Sequence, residues 1–106
     1  MVHVTFVAHD GTRRTVDIKE GVSAMEGALA HRIPGIDGDC GGACACATCH
    51  VYVDPEWAGR LPPPNELETS MLKLALEPKA SSRLSCQIKL GPELEGLVLW
   101  TPKSQT

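Results

Sequence analysis

The sequence predicts an α+β protein that opens as a β-grasp, a hairpin followed by a helix packed across it. Two observations carry that reading. Val2 to Ala8 alternates and is rich in β-branched residues, and after an Asp10-Gly11 turn signal Thr12 to Lys19 returns with Val16 and Ile18 apolar. Ser23 and Glu26 then form a capping box, Ser at the N-cap and Glu at N3, in front of an apolar-periodic run. A third observation says where the chemistry lies. The loop Asp39 to His50, DCGGACACATCH, concentrates cysteines, and one more, Cys86, stands far downstream in SRLSCQI.

The elements follow in order. In the first strand Val2, Val4 and Phe6 share one side, and His3, Thr5 and Val7 the other. Glu20-Gly21 ends the second strand. The helix runs to about Arg32, burying Met25, Leu29 and Ala28 or Ile33, and Pro34-Gly35 stops it. Beyond the cysteine loop, His50 to Val53 reads as a strand. Asp54-Pro55-Glu56-Trp57 leaves the sheet with Trp57 as a packing residue, and Leu61-Pro62-Pro63-Pro64 is a stiff connector that cannot be helix interior.

Asn65 is the N-cap of a helix from Glu66 to about Leu76. Leu67, Met71 and Leu74 recur at helical spacing, and Leu72 and Ala75 widen their face. Glu66 and Glu68 occupy the first turn, where the helix dipole favours them; a solvated helix end is a sufficient reading of both. Pro78 ends this region. Ser81 to Ile88 gives a turn and a strand carrying Cys86, with Arg83 in structural ion pairs or capping carbonyls. Gly96 to Trp100 is the last strand, broken at Pro102, and the polar tail Lys103 to Thr106 is expected to fray.

Composition bounds the rest. A chain of 106 residues is one domain. No apolar run is long enough to span a membrane. The start, MVHVTFVAHDG, has neither a charged n-region with a long apolar segment nor the Arg- and Ser-rich character of a transit peptide, so a soluble cytoplasmic monomer is expected. The net charge of −3 and the absence of a basic patch with interleaved aromatics argue against nucleic acid. A mildly acidic surface suits transient docking to basic partners.

The cysteines carry the chemistry. Cys40, Cys46 and Cys49 have the spacing C-x5-C-x2-C, and Gly41 and Gly42 let the backbone approach a bound core closely. A 2Fe-2S cluster needs four thiolates, two per iron. Zinc also takes four, but favours two C-x2-C pairs, and Cys86 stands alone. A disulfide framework fits poorly with five cysteines. A Cys46/Cys49 redox pair leaves Cys40 and Cys86 unexplained. No residue reads as a general base or covalent nucleophile.

The plant-type first gap is one residue shorter. With its longer gap, CGGACACATCHVYVDPEW around the loop and SRLSCQI around Cys86, the chain resembles the adrenodoxin/putidaredoxin-type 2Fe-2S ferredoxins, loosely over nearly its whole length. The resemblance implies a β-grasp ferredoxin fold over residues 1–106, a mixed sheet with a packed helix and a cluster-binding loop. It implies one 2Fe-2S cluster per chain held by Cys40, Cys46, Cys49 and Cys86. Cys40 and Cys46 would bind the iron nearer the surface, Cys49 and Cys86 the inner one. Cys44 would be an unligated, buried thiol. His50 would be a structural histidine that hydrogen-bonds backbone and ties the loop to the C-terminal region.

In function, the resemblance implies a one-electron carrier rather than an enzyme. The electron would come from an NAD(P)H-dependent flavoprotein ferredoxin reductase and go to a bacterial cytochrome P-450 monooxygenase. The acidic helix before the fourth cysteine would dock both, with Glu66, Glu68 and Glu77 as its candidate docking residues and Asp37 and Asp39 as further acidic candidates near the cluster. The chain ends in Thr106, so an aromatic C-terminal contact is not carried over. Ferredoxins of iron–sulfur cluster assembly are the alternative; they share the long first gap and SRLSCQ but tend to lack the double glycine. A redox sensor or zinc-stabilised interaction module is the remote one.

Replacing Cys44 by Ala is expected to leave the visible spectrum of the cluster intact, whereas replacing Cys40, Cys46, Cys49 or Cys86 abolishes or degrades it. Loss of the spectrum in Cys44→Ala would refute the ligand set.

Overall fold

The computed structural model describes residues 1–33, 36, 49–75 and 78–102. Its elements are β1 (Val2–Val7), β2 (Arg13–Ile18), α1 (Ala24–Ala30), β3 (His50–Val53), α2 (Glu66–Leu72), β4 (Ser82–Leu84) and β5 (Leu97–Trp100), with 3-10 turns at Ser85–Gln87 and Pro92–Leu94. The five strands form one mixed sheet in the order β2-β1-β5-β3-β4. β1 runs parallel to β5, and the other pairs are antiparallel. The expected α+β β-grasp architecture is therefore present.

The hairpin forms as its sequence dictates. Gly11 takes φ +92°, and the Asp10 carboxylate accepts the Thr12 N–H at 2.9 Å, a bond that lowers the Asp10 pKa. Val2, Val4 and Phe6 are buried with Val16 and Ile18 opposite; Val7 is buried as well. Parallel pairing of β1 with β5 is bracketed by Gly96 N–H to His3 C=O and Thr101 N–H to Val7 C=O.

α1 begins at Ser23, whose Oγ accepts the Glu26 N–H at 3.1 Å and donates to Glu26 Oε1 at 3.1 Å. The box thus closes side chain to side chain. The helix ends before Pro34 in a Schellman pattern: Ile33 N–H reaches Ala28 C=O and Arg32 N–H reaches Leu29 C=O, with Arg32 at φ +55°. Pro34 and Gly35 lie outside the described residues. Met25, Ala28 and Ile33 are buried as expected, but Leu29 is 39 % exposed. The buried arc is Ala24, Met25, Gly27 and Ala28, and Leu29 falls on its margin.

α2 departs more from expectation. It is shorter, because Leu74 and Ala75 bond back only three residues, to Met71 and Leu72. Its burial is also offset by one residue. Leu67 and Leu74 are 54 % and 68 % exposed, while Glu68 is 1 % exposed. The inward stripe is Glu68, Met71, Leu72 and Ala75, which keeps the helical spacing but starts from a carboxylate. Ser81 to Ile88 is expected as a turn followed by a strand carrying Cys86; the strand, β4, stops at Leu84, and Cys86 sits on the 3-10 turn after it. Trp57 packs in the core beneath the Arg60 guanidinium, 4.0 Å from its ring centre.

Gly27 lets α1 lie directly on β2. A Cβ there would fall inside van der Waals contact with the Cδ1, Cγ1 and Cγ2 atoms of Ile18. In an open helix Gly→Ala stabilises by about 1 kcal/mol. Overpacking costs about 1–3 kcal/mol and wins here. Gly27→Ala is expected to lower the denaturation midpoint, and a rise would overturn this account of the α1–β2 contact.

Candidate functional site

Antiparallel pairing of β3 with β4 sets His50 opposite Leu84. The residues just outside that pair, Cys49 before His50 and Ser85-Cys86 after Leu84, are therefore brought to the same end of the two strands. Ser85 clamps them. Its N–H and its Oγ–H both donate to the Cys49 carbonyl, at 3.0 and 2.7 Å. Cys49 is fully buried and Cys86 is 4 % exposed. The side-chain amide of Gln87 lies with Nε2 3.5 Å from Cys86 Sγ.

Glu68 holds this segment from the other side. Its carboxylate accepts the Leu84 N–H at 2.9 Å, Arg83 Nε at 2.7 Å and Arg83 Nη2 at 3.1 Å. Arg83 uses Nη1 on the Pro62 carbonyl at 2.7 Å, which ties the proline connector into the same knot. Asn65 Oδ1 accepts the Glu68 N–H at 2.8 Å, so the N-cap places the glutamate that anchors β4. Both roles foreseen for Arg83, ion pair and carbonyl cap, occur together.

His50 is fully buried. Its Nε2 lies 2.7 Å from Ser82 Oγ, and that hydroxyl also accepts the Lys79 N–H at 2.7 Å. Burial lowers the His50 pKa and favours the neutral ring. The Nε2 contact runs to a hydroxyl on β4 and ties the start of β3 to that strand. The Tyr52 ring meets His50 edge-on, with centroids 4.7 Å apart.

The foreseen residues divide as follows. Cys49 and Cys86 are brought together. Cys40, Cys44, Cys46, Asp37, Asp39 and Glu77 lie outside the described residues. Glu66 is exposed on the first turn of α2, open to a partner. Glu68 is not a docking residue: it is buried, and its oxygens are taken by Arg83 and Leu84. Ser85 and Gln87 were missed, since neither has a spacing signal of its own. Glu68 could have been found, because a basic residue three positions before a buried cysteine needs a counter-ion.

The two described thiols fit a thiolate-bound cluster. They are shielded from water, joined through one backbone clamp and near an amide N–H donor, the features that stabilise sulfur ligation. Among the described residues no group of three or more His, Cys, Asp or Glu could hold a metal ion, and no helix is long and apolar enough to cross a membrane.

Comparison with known proteins agrees with this geometry. Residues 7–91 match the family model of the 2Fe-2S iron–sulfur cluster binding domain. Ferredoxin CarAc of Sphingomonas sp is 51% identical over 105 residues, covering 99% of this chain and 96% of that protein. Putidaredoxin of Pseudomonas putida is 48% identical over 106 residues, covering 99% of each. A crystal structure of reduced putidaredoxin superposes with a TM-score of 0.95 at 48% identity, covering 98% of this chain and 99% of that one. The putidaredoxin reductase–putidaredoxin covalent complex matches at a TM-score of 0.89 and 49% identity, over 93% of this chain and 96% of that one.

Glu68→Ala would leave the Arg83 guanidinium unpaired and the Leu84 N–H without its acceptor. The expected cost is about 3–5 kcal/mol, read as a lower unfolding midpoint and faster loss of iron on heating. Stability within about 0.5 kcal/mol of the parent would show that the knot does not hold the Cys86 segment.

Proposed function

The chain belongs to the 2Fe-2S iron–sulfur cluster binding family as a putidaredoxin-type ferredoxin, and from that we propose that it carries single electrons from an NAD(P)H-dependent flavoprotein ferredoxin reductase to a bacterial cytochrome P-450 monooxygenase. The observation that carries the proposal is the likeness to putidaredoxin across almost the whole chain, with the Ser85 clamp holding two buried thiols together. The putidaredoxin reductase–putidaredoxin complex supports a reductase as the electron donor. Alignment with relatives over 99% of the chain supports treating residues 1–106 as one ferredoxin domain, and the cytoplasm is the compartment proposed for it.

When bound, a 2Fe-2S cluster takes up and returns one electron at a time. Cys40, Cys46, Cys49 and Cys86 would hold it as thiolates. The chain's own residues do the rest. Cys49 and Cys86 form the inner, water-shielded pair, and their burial supports the assignment of these two to the deeper iron. Ser85 holds the Cys49 carbonyl and Glu68 holds the Leu84 N–H, so the backbone on which that pair sits is anchored from two sides. Glu66 presents negative charge at the surface of α2. With Asp37, Asp39 and Glu77 it would steer the carrier onto basic partner surfaces.

The test is to mix pre-reduced protein with the substrate-bound monooxygenase of the same organism and, in parallel, with its cysteine desulfurase and scaffold. Fast, saturable, salt-sensitive haem reduction is expected, with no effect on cluster assembly. Slow haem reduction with stimulated assembly would overturn the acceptor named here. Glu66→Lys is expected to slow haem reduction several-fold at low ionic strength and to flatten its salt dependence. Unchanged rates would remove Glu66 from the docking face.

A further inference from the structure

We propose that Gln87 raises the reduction potential of the centre by donating its side-chain N–H to Cys86 Sγ. The inference rests on the reading of Cys86 as a cluster ligand. Its observation is the placement of Nε2 3.5 Å from Sγ, within N–H···S range. A thiolate only accepts, so the NH2 end of the amide faces it and the carbonyl end turns away.

The backbone makes this contact a built one. Gln87 closes the 3-10 turn Ser85–Gln87, and the Ile88 N–H returns to the Ser85 carbonyl at 3.3 Å. Ser85 is itself held on Cys49. Cys86 is buried, so the bond acts where the local dielectric is low. Gln87 is half-buried and its outer side lines a groove of about 330 Å³ shared with Pro63, Asn65, Arg83, Lys89 and Glu93.

The sign follows from charge. Reduction adds one negative charge to the centre and increases electron density on its sulfurs. A donor to sulfur stabilises that state more than the oxidised one, which raises the potential. Removing the donor lowers it. A carboxylate at the same place removes the donor and adds repulsion, which lowers it further.

The experiment compares the iron- and sulfide-loaded parent with Gln87→Met and Gln87→Glu. Potential is read by dye equilibration, with iron, sulfide and the visible spectrum measured on the same samples. At a fixed solution potential the reduced-to-oxidised ratio is expected to fall about three- to tenfold in Gln87→Met, the worth of one hydrogen bond, and further in Gln87→Glu. An unchanged ratio in fully loaded Gln87→Met overturns the proposal. A colourless, zinc-loaded parent overturns the cluster reading instead, and the proposal with it.

A second readout needs no change at position 87, so it decides the matter even where a variant loses its cluster. The chain has two glutamines, Gln87 and Gln105. With Gln105→Asn and glutamine labelled with nitrogen-15 on the side-chain amide, pulsed EPR of the reduced protein is expected to show coupling to one nitrogen-15 nucleus. Absence of that coupling overturns the donor role.

Discussion

A carboxylate taken out of water needs hydrogen-bond donors in its place, and Glu68 has three. The two nitrogens of Arg83 and the N–H of Leu84 converge on its oxygens. This makes α2, the proline connector and β4 one unit, since Arg83 also reaches Pro62. The consequence passes one residue further along the chain. Ser85 follows Leu84 and grips the Cys49 carbonyl, so the position of Cys49 and Cys86 depends on a glutamate that touches neither sulfur.

That dependence explains the burial pattern of α2. A helix with Leu67, Met71 and Leu74 at helical spacing would turn those side chains inward if apolar burial alone decided its rotation. A leucine buried completely gains about 1.5–3 kcal/mol. An arginine left unpaired beside a buried strand costs as much or more. Rotating the helix to satisfy Arg83 and the Leu84 N–H exposes Leu67 and Leu74 but keeps Met71, Leu72 and Ala75 against the core. The outer face of α2 consequently presents Leu67 beside Glu66, and Leu74 is exposed just past the helix end.

An electron carrier needs no acid, base or nucleophile from its chain. It needs ligands held still, kept from water and surrounded by dipoles that set the potential. The described part of the site has those properties. Cys49 and Cys86 are shielded, the clamp on Cys49 uses both a backbone and a side-chain donor, and the buried His50 ring ties the start of β3 to β4 through Ser82.

The amino-acid sequence by itself determined the elements and the chemistry. Alternation in Val2 to Ala8, the Asp10-Gly11 turn, the caps at Ser23 and Asn65 and the C-x5-C-x2-C spacing are local signals, and each acts within a few residues. Local rules also named Arg83 as an ion-pairing residue. They could not say which acid it would meet, because Glu68 is fifteen positions away and only the β3–β4–α2 packing brings the two together. The same limit hid Ser85 and Gln87, ordinary polar residues whose importance is the sulfur or carbonyl that the fold sets beside them. It misplaced Leu29, Leu67 and Leu74 as well. Periodicity tells which residues share a helix face, while the rotation of that face follows from where the polar partners of neighbouring elements lie, and only the tertiary structure decides that.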